Sequence, residues 1–117
     1  MPLIRIRHCR SGRVVAASTA SNSAIRHGVP VVAVVGNDAA WSQIARAQIE
    51  LLGDDVGPVL APTRYDRVAA GFGAVGLHVD SAGELPAALA RARDSAQSTL
   101  IDVRMGRSDF RKDSISM

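Results

Sequence analysis

Hydrophobic and polar positions along the chain fall into short blocks of alternating type. Val31-Val32-Ala33-Val34-Val35 is a continuous, mostly β-branched run between Pro30 and Gly36, which predicts a strand buried on both faces. From Ala39 to Leu52 the apolar positions Ile44, Ala47, Ile49, Leu51 and Leu52 recur at roughly helical spacing. Gly53 is a natural stop, and Asp38 stands where it can cap the helix. Val59 and Leu60 suggest a short strand inside a connector holding Pro58 and Pro62. Tyr65 to Phe72 reads as a short helix, with Val68 and Phe72 on one face. Gly71, Gly73 and Gly76 turn the chain into a strand at Leu77-His78-Val79. Ser81-Ala82-Gly83-Glu84 has the capping-box pattern and opens a helix to about Ala96, with Leu85, Ala88, Leu89 and Ala92 on one face. Pro86 falls near its first turn, where a missing N–H costs least. Thr99 to Met105 predicts the last strand.

The pattern is weaker upstream. Leu3 to Arg7 alternates enough for a strand, whereas Cys9 to Ser23 has no helical period and reads as loop. The sum is strand–helix alternation, which predicts an α/β sandwich with a mainly parallel sheet. Three regions are expected: an atypical, disordered start over 1–24, a folded part over 25–105, and a polar tail over 106–117.

Composition narrows the function classes. A chain of 117 residues suits one small domain. Its longest apolar run is far short of the ~20 residues that span a membrane, and the start lacks the apolar segment of a secretion signal. Cys9 is the only cysteine, so no internal disulfide or Cys-rich metal site exists. A reducing, cytoplasmic setting is therefore expected. The net charge of +3 is lopsided: residues 1–37 carry five arginines and no acid, while the remainder holds nine basic and eleven acidic residues. The basic part lacks interleaved aromatics, so no nucleic-acid partner is expected, and no membrane partner either.

In open α/β sheets ligands bind beyond the carboxyl ends of strands. Gly36-Asn37-Asp38 leaves the strongest strand and enters the strongest helix, which makes this corner the candidate site. Asn37 and Asp38 offer oxygens, the ligand type of Mg²⁺, beside helix N–H groups that favour phosphate. On the local pattern alone, Asp38 also reads as an N-cap and Asn37 as a turn residue. Trp41 reads equally as a packing residue and as part of a cofactor pocket or interface. Gly71-x-Gly73-x-x-Gly76 follows a helix and precedes a strand, the reverse of a dinucleotide fingerprint. His8, His27 and His78 share no metal-site spacing.

Taken in order, Arg26-His27-Gly28-Val29-Pro30-Val31, Gly36-Asn37-Asp38-Ala39-Ala40-Trp41, Ser42-Gln43-Ile44-Ala45-Arg46-Ala47-Gln48, Tyr65 to Gly76, Glu84-Leu85 and Gly106 to Ser116 resemble one family. It is that of thiamine-diphosphate-dependent enzymes of the acetolactate synthase and 2-hydroxyacyl-CoA lyase group. The ending looks closer to the lyase branch. The resemblance runs from about Ile25 to Met117 and implies the C-terminal half of the pyrophosphate-binding domain, an incomplete three-layer sandwich of the thiamine-diphosphate-binding fold.

It also implies a site. In the family, Mg²⁺ bridges the cofactor diphosphate to the protein through a Gly-Asp-Gly aspartate, a downstream Asn side chain and a carbonyl two residues beyond it. Anchored on Trp41, these last two fall on Asn37 and the Ala39 carbonyl, with Asp38 between them and Trp41 near the cofactor. The implied cofactors are thiamine diphosphate and Mg²⁺, with residual binding at this corner. No Asp or Glu precedes Asp38, so this stretch is expected to lack the family's first metal ligand and its partner domain. The chain alone is therefore expected to be inactive, a truncated relative of a C–C bond-forming or -cleaving enzyme. Two other readings stand beside it. One is a non-catalytic interaction protein that self-associates through an exposed sheet edge; the other is a phosphate-binding module unrelated to thiamine.

Overall fold

The structure is a computed structural model that describes the backbone of residues 7–9 and all of residues 22–107. Its strands and helices in chain order are β1 (Arg7–Cys9), β2 (Val32–Asn37), α1 (Ser42–Leu52), α2 (Tyr65–Gly71), β3 (Val75–Val79), α3 (Leu85–Asp94) and β4 (Thr99–Arg104). A short helical stretch over residues 22–26 precedes β2. The strands form one four-stranded sheet in the order β1-β2-β4-β3. All three pairings are parallel, with Val35 opposite Asp102 and His78 opposite Asp102.

Side chains alternate across this sheet, and the two faces carry two cores. Val32, Leu77, Val79 and Ile101 point to one face and pack with Ala88 and Ala92 of α3. Val35 and Leu100 point to the other and pack with Ala69 of α2. The architecture is thus the expected α/β sandwich, one helix on each face of a parallel sheet. Ile101 and Val35 are wholly shut off from water, and burial of such a side chain is worth ~1.5–3 kcal/mol in transfer free energy. Among the described residues no helix is long and apolar enough to cross a membrane.

Gly76 explains how α2 lies so close to β3. A Cβ built there would sit 2.0 Å from the Asp66 carbonyl oxygen, so only a bare backbone fits. Ser98 joins the start of β2 to that of β4: its buried hydroxyl donates to the Val29 carbonyl at 3.0 Å and accepts from the Val31 N–H at 3.3 Å.

Several elements differ from the sequence reading. The first described strand is Arg7–Cys9, so Cys9 joins the sheet instead of opening a loop, and the rest of the strand expected over Leu3 to Arg7 lies outside the described residues. That strand also covers the β2 edge at Ala33, Val34 and Val35. The disorder expected over 1–24, and the tail from 108 onward, lie outside the described residues. Val59 makes an isolated antiparallel bridge to Ala40 rather than a strand. Glu84 accepts from the Asp80 N–H at 3.2 Å, and a 3₁₀ turn (Ala82–Glu84) precedes α3, so Ser81 caps nothing with its side chain. The helix itself stops at Asp94, short of Ala96. On α2 the buried residues are Asp66 and Ala69, whereas Val68 and Phe72 lie at the surface. The largest difference is α1. Only Ala45 is buried there, while Ile44, Ile49, Leu51 and Leu52 are exposed.

Candidate functional site

β2 ends at Asn37, and the chain must reverse before α1 begins. The reversal is made at Ala39, which has φ 53° and is the one described non-glycine residue in the left-handed region. An L-residue there costs roughly 1–2 kcal/mol, so its neighbours must hold it. They do so from two sides. The Leu60 N–H donates to the Ala39 carbonyl at 2.8 Å, and the Trp41 N–H donates to the Pro58 carbonyl at 2.8 Å. The Asn37 Oδ1 accepts from the Ala39 N–H at 3.2 Å. Residues 58–63 therefore lie across the carboxyl end of β2.

Asp38 is not the helix cap that its position suggested. Trp41 is the N-cap and makes no side-chain cap bond. Asp38 instead braces the turn: its Oδ1 accepts from the Ala40 N–H at 3.1 Å, and its Oδ2 accepts from the Ser42 hydroxyl. The left-handed turn at Ala39 delays the helix, so Asp38 ends up too early to reach its free N–H groups. Trp41 is 42% exposed at the rim of the corner. The structure thus brings together Asn37, Asp38 and Ala39 in one turn, with Trp41 at its exit.

Beneath the corner lies a polar cluster that sequence spacing did not suggest. Asp102 is fully buried in β4, on the face that also carries α2. Its Oδ1 accepts from Asn37 Nδ2 at 3.1 Å, and its Oδ2 accepts from the Tyr65 N–H at 3.3 Å. His78 Nδ1 lies 3.3 Å from the same Oδ2, and His78 Nε2 lies 3.2 Å from Asp80 Oδ1. Asp66 faces His78 Nδ1 at 4.0 Å and is held by Arg64 through two bonds of 2.8 Å. The Arg64 hydrogen bonds hold the Asp66 carboxyl below the usual carboxylate range, against the opposing effect of burial.

Asp66, His78 and Asp102 present ligand atoms within 4.8 Å of one another, the number and type a metal ion uses. Each already has protein partners, and no buried side-chain polar atom among the described residues lacks one. The cluster reads as a satisfied polar network joining β3, β4 and α2 to the corner. Its one signal in the sequence is Asp102, a lone acid inside the apolar run Thr99-Leu100-Ile101-Asp102-Val103.

Comparison with known proteins gives the family and the fold. The family model described as "Thiamine pyrophosphate enzyme, C-terminal TPP binding domain" matches residues 12–103, reaching upstream of Ile25, where the sequence resemblance began. The chain is 44% identical over 98 residues to 2-hydroxyacyl-CoA lyase 2 of Caenorhabditis elegans, covering 79% of this chain and 15% of that protein. The human 2-hydroxyacyl-CoA lyase 2 is 40% identical over 99 residues, covering 80% and 16%. The acetolactate synthase large subunit of Mycobacterium tuberculosis is 38% identical over 80 residues, covering 68% and 15%. Among solved structures, a thiamine diphosphate-dependent 4-hydroxybenzoylformate decarboxylase of Rhodococcus jostii RHA1 superposes with a TM-score of 0.79 at 25% identity, covering 89% of this chain and 20% of that one. The chain spans about one-sixth of the length of its curated relatives. The family match, the sequence relatives and the parallel sandwich agree, and the chain belongs to the C-terminal thiamine pyrophosphate-binding domain family of thiamine pyrophosphate enzymes.

Proposed function

We propose that the chain supplies part of the diphosphate end of a thiamine diphosphate site, with Asn37 Oδ1 and the Ala39 carbonyl as two oxygen ligands to Mg²⁺ and Trp41 beside the cofactor. The observation that carries this reading is the left-handed backbone at Ala39. Strain of this kind, held by surrounding contacts, gathers at ligand sites. Both oxygens are hard donors of the type Mg²⁺ takes. Each accepts one hydrogen bond within the chain and keeps a second lone pair.

The donor set fits the ion only in part. Among the described residues the one carboxylate in the turn is Asp38, and its oxygens brace the backbone and Ser42 through the Ala40 N–H and the Ser42 hydroxyl. When bound, thiamine diphosphate supplies the carbanion-stabilising chemistry by which such enzymes make and break C–C bonds. The residues here would bind and orient its charged end. The parent activity is read as lyase-like or acetolactate synthase-like, after the relatives' names.

Calorimetry and ¹H–¹⁵N NMR with Mg²⁺ and thiamine diphosphate test the reading. Shifts confined to residues 37–41, with a Kd weaker than ~1 μM, are expected. Tighter binding would refute the partial ligand set, and unmoved corner signals at saturating cofactor would refute the site.

One observation favours a second reading, association without catalysis. Ile44, Leu51 and Leu52 of α1 are 54%, 81% and 71% exposed, and Trp41 and Val56 are exposed near its two ends. Large apolar side chains left exposed along one helix mark an interaction site. Self-association would then run through α1 rather than through a sheet edge. Sedimentation of the chain, and of Leu51→Glu, separates the two: an unaltered monomer in both would exclude self-association.

A further inference from the structure

We infer that Asp102 is a positioning residue for the corner: its buried carboxylate fixes which way the Asn37 amide points, and so keeps Oδ1 turned toward residues 37–39. The inference deepens the cofactor reading and rests on it for its functional meaning.

An Asn side chain can swap its oxygen and nitrogen ends by a half-turn of the amide, and hydrogen-bond partners alone decide between the two. At Asn37 the partners are one-sided. Nδ2 donates to the Thr63 carbonyl at 2.8 Å and to Asp102 Oδ1 at 3.1 Å. The Thr63 carbonyl cannot donate, and the Asp102 carboxyl oxygens act as acceptors, toward the Asn37 amide and the Tyr65 N–H. A flipped amide would set oxygen against oxygen on both contacts and NH₂ against the Ala39 N–H. Only one orientation satisfies all three neighbours, and in it Oδ1 faces the turn.

Asp102 can do this because it is itself immobilised. It is 0% exposed, so its oxygens meet protein donors rather than bulk water. Its other oxygen is held by the Tyr65 N–H and lies against His78 Nδ1, both at 3.3 Å. Asp80, Asp66, Arg64 and Arg104 complete the charged surroundings. Asp102 acts through Asn37 and is not assigned as a ligand. Outer partners of this kind typically change metal affinity by about 10–100-fold when lost.

Side-chain ¹H–¹⁵N NMR reads the amide directly. In the unaltered chain both Asn37 NH₂ protons should be separately resolved and protected from solvent exchange, one by Thr63 and one by Asp102. A single protected proton would overturn the inference. In Asp102→Val, similar in size and free of acceptors, the second proton should lose at least ~10-fold of its protection, and Mg²⁺·thiamine diphosphate should bind about 10–100-fold more weakly. A folded Asp102→Val chain with both protons still protected would overturn it, whereas a purely structural Asp102 would lower the unfolding midpoint and leave the amide unchanged. Should that variant not fold, the two-proton measurement on the unaltered chain decides. An ordered amide in a chain that binds no thiamine diphosphate would refute the cofactor reading and leave the positioning role standing.

Discussion

Replacing Gly76 by Ala tests the packing that holds the site together. The new methyl carbon would lie 2.0 Å from the Asp66 carbonyl oxygen and 2.7 Å from its carbon. Neither is the free end of a side chain, so the first turn of α2 must retreat as a body. Overpacking costs typically ~1–3 kcal/mol and occasionally more; with backbone as the obstacle, about 3 kcal/mol is expected. For a domain of this size that lowers Tm by roughly 12–24 °C. The damage should reach the corner, because the same turn carries the Tyr65 N–H that holds Asp102. Gly83→Ala is the control, since nothing lies within 4 Å of its added carbon and its backbone is not left-handed. It should leave Tm unchanged or raise it by the equivalent of ~0.4–1 kcal/mol. Thermal unfolding followed by circular dichroism, with amide exchange at Tyr65, measures both. A Gly76→Ala chain that melts within a few degrees of Gly83→Ala would refute the close approach of α2 to β3.

Two further outcomes follow from the corner and its network. Ala39→Gly removes the left-handed penalty and should stabilise the chain by up to ~1 kcal/mol; destabilisation in urea would argue against the positive φ. Asp66 titrates below the usual carboxylate range because of Arg64, so its contribution is present above the ordinary value of ~3.9 and is lost as pH falls through the lower native value. Arg64→Gln should therefore bring acid unfolding to higher pH. The cost near neutrality should be small, because the Arg64 side chain is exposed to solvent. An unchanged acid midpoint would contradict the pairing.

Much of the fold was legible in local pattern. The β-branched run at 31–35 found β2, although the strand continues to Asn37. Gly53 ends α1 as expected, with φ 74° and its N–H bonded to the Ile49 carbonyl at 2.9 Å. The candidate corner was placed by the rule that ligands gather past strand ends, and its residues do meet in one turn. The role of Asp38 was misread because capping depends on where the helix starts, and that start was moved by the turn at Ala39. The α1 pattern announced an apolar face and was silent on what covers it: among its residues only Ala45 is buried.

The sequence by itself determined most of the elements, the parallel α/β class and the family, because strand and helix periods and a set of ordered motifs are local properties. Only the tertiary structure decided which groups meet. Asn37, Tyr65, His78 and Asp102 stand far apart along the chain and come together because β4 inserts between β2 and β3. No spacing rule encodes that contact. It arises because strand order sets side chains from separate strands opposite one another, and a fully buried carboxylate must find its donors wherever the sheet brings them.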